Sequence, residues 1–80
     1  MGRERDDFVL RTVKEHPGLQ LMELADMWLN EHPEYYVRNF DPVIAARHQV
    51  AATLRSMVRY KMVERVGVKG HFRYILHEDD

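Results

Sequence analysis

The sequence predicts an α+β fold, a three-helix core closed by a two- or three-stranded β-hairpin. Three observations carry that reading. Apolar residues recur at helical spacing in three separate segments, proline and glycine punctuate the chain between them, and the final stretch alternates in hydropathy around Gly67-Val68-Lys69-Gly70.

The first helix is expected to start at an Asp6 or Asp7 cap and run to about Glu15, with Phe8, Val9 and Val13 as its apolar stripe. His16-Pro17-Gly18 ends it, since proline cannot continue a helix and glycine accepts the turn. After an extended entry at Leu19-Gln20-Leu21, the residues Leu21, Leu24, Ala25 and Trp28 fall at i, i+3, i+4 and i+7, one buried helical face fading near Glu31-His32. Pro33 to Pro42 contains Tyr35, Tyr36, Val37 and Phe40, too apolar for a floppy linker, and is expected as an ordered loop. Asp41-Pro42 is a cap followed by proline at the first helical position, so the third helix starts there and runs to about Tyr60. Its inward stripe is Val50, Leu54, Met57 and Val58, with Ala46 and Arg47 earlier. Met62–Val66 and His71–Leu76 read as the two hairpin strands, with Phe72, Tyr74 and Leu76 on one face.

Eighty residues make one small domain, with a core over about 6–76 and a short acidic tail at 77–80. Without cysteine, neither disulfides nor a thiolate metal site can add stability, and a reducing, cytoplasmic setting fits. The charged N-terminus lacks a following apolar run, which argues against a signal peptide, and no stretch is long enough for a membrane span. The chain also leaves no room for an effector domain.

The net charge of −1 conceals a strong asymmetry. Val43 to Leu76 holds the cations Arg47, Arg55, Arg59, Lys61, Arg65, Lys69 and Arg73 against one acid, Glu64. Met1 to Pro42 is acidic in balance, and Glu78-Asp79-Asp80 adds three more acids. A helix and hairpin that are basic together suit a polyanion.

Taken in order, these elements resemble the winged helix-turn-helix superfamily from about Asp6 to Leu76. His16-Pro17-Gly18-Leu19-Gln20-Leu21-Met22-Glu23-Leu24-Ala25 looks like the passage between its first two helices. Val50-Ala51-Ala52-Thr53-Leu54-Arg55-Ser56-Met57-Val58, with Met62-Val63-Glu64-Arg65-Val66, looks like recognition helix and first wing strand, and Gly70–Leu76 like the returning strand. The resemblance implies a double-stranded DNA-binding protein, most simply a small transcriptional regulator. Some members of the superfamily bind protein or RNA instead. One departure is plain: the family joins its second and third helices by a few residues, whereas some ten intervene here. Either the third helix begins earlier, or an aromatic loop sits beside it.

On a wheel of about 100° per residue, the outer side of the third helix presents His48, Gln49, Ala52, Arg55, Ser56 and Arg59, with Arg47 earlier on the helix. Arg55 suits a guanine edge, Gln49 an adenine edge, and Ala52 permits close approach. Arg65, Lys69 and Arg73 on the hairpin would meet backbone phosphate. A solvated amphipathic helix also carries charge outward, but it has no reason to share the sign of the hairpin. The competing reading is a winged-helix protein-interaction module or inhibitor that binds no nucleic acid. Met27 and Trp28, with Phe8 and Leu10, exceed one narrow stripe and raise the prospect of a homodimer. His16, His32, His48, His71 and His77 lack metal-ligand spacing, and no catalytic motif, cofactor fingerprint or small-molecule site is legible.

Overall fold

The computed structural model describes residues 2–77, with side chains described from residue 4 onward. Its elements run α1 (Gly2–Glu15), α2 (Leu21–Glu31), a 3-10 turn (Pro33–Tyr36), α3 (Pro42–Arg59), β1 (Val63–Val66) and β2 (Arg73–Leu76). The acidic residues at 78–80 lie outside the described residues.

The core forms where the three helical stripes meet the inner face of the hairpin. Phe8, Val9 and Val13 from α1, Leu24, Ala25 and Trp28 from α2, and Ala46, Val50, Leu54 and Met57 from α3 are all buried together with Val63 and Tyr74. The rings of Phe8 and Trp28 tilt against each other at 5.2 Å between centroids, a geometry that adds about 0.5–1.5 kcal/mol beyond area burial. Both residues are therefore spent inside the monomer, and Met27 and Leu10 pack half-buried against the same cluster. The apolar surplus that suggested a dimer is taken up by the core.

Two boundaries differ from the sequence reading. α1 begins at Gly2, so Asp6 and Asp7 are exposed residues inside the helix rather than its cap. Long-range contacts hold the extra turn: Arg5 Nε donates to Thr53 Oγ1 at 2.8 Å, and the Tyr35 hydroxyl donates to Glu4 Oε2 at 2.6 Å. Such partners are invisible to a cap rule. The strands are also shorter than expected: β1 starts at Val63 rather than Met62, after Lys61 at positive φ, and β2 starts at Arg73 rather than His71, because the connection needs Gly67 and Gly70 at positive φ. A Cβ at Gly67 would fall 2.9 Å from the His71 carbonyl oxygen, so no side chain fits there.

The hairpin is antiparallel, with Val63 opposite Leu76 and Val66 opposite Arg73. The extended entry to α2 joins it: Leu19 bridges Tyr74, whose N–H donates to the Leu19 carbonyl at 3.0 Å. α2 and α3 start as the sequence indicates. Glu23 accepts from the Gln20 N–H at 2.9 Å, and Asp41 accepts from the Ile44 N–H at 3.1 Å above Pro42.

With α3 starting at Pro42, the ten residues between α2 and α3 (the insertion, for their place between the two helices) fold onto the body. Tyr36 is buried, and a hydrogen-bonded chain fastens it: Trp28 Nε1–H donates to the Tyr36 hydroxyl at 2.6 Å, and that hydroxyl donates to Gln49 Oε1. The rest of the insertion is only partly docked, since Val37 and Phe40 face solvent.

Candidate nucleic-acid interface

The outer side of α3 follows from its inner one. With Ala46, Val50, Leu54 and Met57 buried, the residues half a turn away must face solvent. His48, Ala52, Arg55, Ser56 and Arg59 are exposed, as expected. Ile44, four residues before His48, shares their side and is exposed too. The expected outer face began at Arg47 and His48 and left out Ile44 and Val43, and with them Phe40 just before the helix. The signal that could have found Ile44 was the same four-residue step continued backward to the cap.

Three of the ten candidates occupy different surroundings. Gln49 is exposed, yet its amide oxygen accepts from Tyr36, so the side chain that was to read adenine instead holds the insertion to α3. Arg73 is exposed on β2, but its guanidinium donates to the Gly18 carbonyl at 2.8 Å and fastens the hairpin to the α1–α2 turn. Arg47 is half-buried, and its Nε is buried without a hydrogen-bond partner.

Two of the remaining cations, Arg55 and Arg65, meet between helix and hairpin. Arg55 and Arg65 line one shallow cleft of about 180 Å³ with Ala51, Leu54, Val58 and Tyr74. Burial pushes the Tyr74 hydroxyl above its ordinary pKa, and the positive charges of Arg65 and Arg55 partly oppose that rise. Arg65 also stacks over Phe72, with its guanidinium carbon 4.4 Å from the ring centroid, which orients a long side chain otherwise free to wander. Lys69 is exposed at the hairpin tip.

Ion pairing sorts in the same direction as sequence charge. Arg11 on α1 reaches Glu31 at 3.4 Å and Glu15 at 3.9 Å. Glu34 of the insertion and Glu4 of α1 share one partner: His32 lies 3.2 Å from Glu34 and 3.9 Å from Glu4. The Glu34 carboxyl is held below its usual pKa, first by a backbone N–H and then by His32. In the basic half, the single acid Glu64 lies 2.8 Å from Nδ1 of His77. Among the described residues, none of Arg47, Arg55, Arg59, Arg65, Lys69 or Arg73 forms an ion pair with a carboxylate. Cations without an ion-paired carboxylate among the described residues keep more of their field for an external anion.

No group of His, Asp or Glu side chains among the described residues is arranged to hold a metal ion. No helix there is long and apolar enough to cross a membrane. Comparison with protein-family models, with curated proteins and with solved structures finds no match to this chain.

Proposed function

We propose that this chain is a winged helix-turn-helix domain that binds double-stranded DNA in a sequence-dependent way, as a small transcriptional regulator. The observation that carries the reading is the run of exposed cations on α3 and the hairpin, Arg55, Arg59, Arg65 and Lys69, which form no ion pair with a carboxylate among the described residues. In the acidic half, by contrast, Glu15 and Glu31 are paired with Arg11, and Glu34 lies beside His32. The order of elements supports it, as does the second, short pairing that Leu19 makes with β2.

In this reading α3, 18 residues long and so about 27 Å, enters a major groove about 12 Å wide. Arg55 and Arg59 reach base edges or the nearest phosphates, with Ser56 and His48 beside them and Ala52 allowing close approach. Arg65 and Lys69 meet the backbone from the hairpin. Gln49 and Arg73 act as positioning residues, one setting the insertion against α3 and the other setting the hairpin against the α1–α2 turn. Arg47, half-buried, would reach phosphate only at the edge of the contact.

Selection of bound sites from random duplexes, followed by fluorescence polarisation, tests this directly. Arg55→Ala is expected to lose about 1–3 kcal/mol on the preferred site and much less on random DNA at one salt concentration. Equal losses on both would make Arg55 a phosphate contact. No duplex binding, with capture of an acidic polypeptide instead, would favour the protein-interaction module.

A further inference from the structure

The leading end of α3 is apolar where the rest of its outer side is cationic. Phe40, just before the Asp41 cap, is 105% exposed, and Ile44 is 49% exposed. Neither packs into the core cluster. Asp41 spends a carboxylate oxygen on the Ile44 N–H at 3.1 Å, which fixes the first turn and the position of the isoleucine. Ile44, His48, Arg55 and Arg59 then follow at steps of four, seven and four residues, one continuous stripe along the helix.

We infer that Ile44 and Phe40 read the C5-methyl groups of thymine, so that this face selects A·T pairs at the leading end of α3. The inference rests on the duplex-binding reading above and names the bases it favours. The stripe itself limits the occupant. A second copy docked along the whole stripe about a twofold axis parallel to α3 would bring Arg55 and Arg59 towards the same cations of its partner, with no carboxylate on the stripe to offset them. An acidic protein surface would satisfy the arginines, but would need an apolar patch set one turn or more beyond its acids to cover Ile44 and Phe40. The major groove carries both features at once: phosphates along its walls, and the thymine methyl as the apolar group on its base edges. The side chain of Ile44 can neither donate nor accept a hydrogen bond, so contact with that methyl is the base-specific recognition open to it.

The test compares the intact chain on a short alternating A·T duplex with the same duplex carrying uracil in place of thymine. This exchange removes the methyl and leaves charge and hydrogen-bonding edges unchanged. Polarisation at one salt concentration is expected to show about fourfold weaker binding to the uracil duplex for each contacted methyl, the worth of one buried carbon. Ile44→Ala with Phe40→Ala is expected to bind both duplexes alike. Equal binding of the two duplexes by the unaltered chain would overturn the inference and leave duplex binding intact, whereas binding to no duplex would remove both. If sedimentation showed the double variant converting a dimer to a monomer, the apolar lead would belong to contact between copies and the inference would fail. Both residues are solvent-facing, so folding of the variant is checked by its melting curve, and the thymine–uracil comparison on the unaltered chain decides without it.

Discussion

Removing one oxygen atom, in Tyr36→Phe, isolates what holds the insertion in place. Tyr36 is 2% exposed and Trp28 is 1% exposed, so the indole N–H has no access to water if its acceptor disappears. A buried donor left unsatisfied costs about 1–3 kcal/mol. Gln49 loses a partner as well, but it is exposed and can turn to solvent, so its share is small. The ring is retained, so no cavity term adds. Against a total of about 4–12 kcal/mol for a domain of this size, the loss is substantial, roughly 4–8 °C in melting temperature for each kcal/mol. Urea unfolding followed by tryptophan fluorescence suits the question, because Trp28 is the single tryptophan in the chain and reports from the site itself. Gln49→Ala in the same assay is expected to cost less than Tyr36→Phe. A Tyr36→Phe loss below about 0.5 kcal/mol, with unaltered emission, would refute the hydrogen-bonded chain as the anchor of the insertion.

Two further outcomes concern the core and the hairpin. Leu54 is 1% exposed at the centre of the core, so Leu54→Ala is expected to cost about 2–5 kcal/mol in a urea melt. An unchanged midpoint would mean that the inward face of α3, and with it the outward one, is wrongly assigned. The Tyr74 hydroxyl has its pKa raised in the fold, chiefly by burial. The unfolded chain therefore loses this proton first, and the stability the neutral phenol contributes is complete below about pH 10. It falls as the pH rises from there through the folded value. Tyr74→Phe is expected to flatten that alkaline loss in a pH series of melts, and an identical slope in both proteins would exclude Tyr74 as its source.

Most of the fold was legible because local chemistry and global packing agree. His16-Pro17-Gly18 stops α1, with Gly18 at φ +95°, and Asp41-Pro42 starts α3 at the expected residue. The two glycines around Val68-Lys69 make the hairpin turn. Each signal lies within a few residues of the feature it determines. The failures share the opposite property. Arg73 finds Gly18 across 55 positions of sequence, and Arg5 finds Thr53 across 48. A helical wheel gives the direction of Gln49 from the axis, but it does not say that an inserted loop brings Tyr36 to meet it. The same gap explains Trp28 and Phe8, which looked surplus to one narrow stripe and are buried because the insertion and α1 cover them together. Charge polarity was readable from composition by segment, whereas which cations remain unpaired needed the ion-pair geometry.

The salt dependence of duplex binding tests the central claim most directly, because it counts the phosphates that the free cations neutralise. With Arg65 and Lys69 on the backbone, log K against log salt is expected to fall with a slope of about −1.8 or steeper, roughly 0.9 per contact. Lys69→Ala is expected to make that slope shallower by about 0.9 on every duplex. Lys14→Ala, an exposed lysine on α1 that lies beside Glu64, Ile75 and Leu76 of the hairpin strands rather than at the tip, is expected to leave it unchanged. A flat salt dependence, or the same change from both lysines, would contradict DNA binding through α3 and the hairpin.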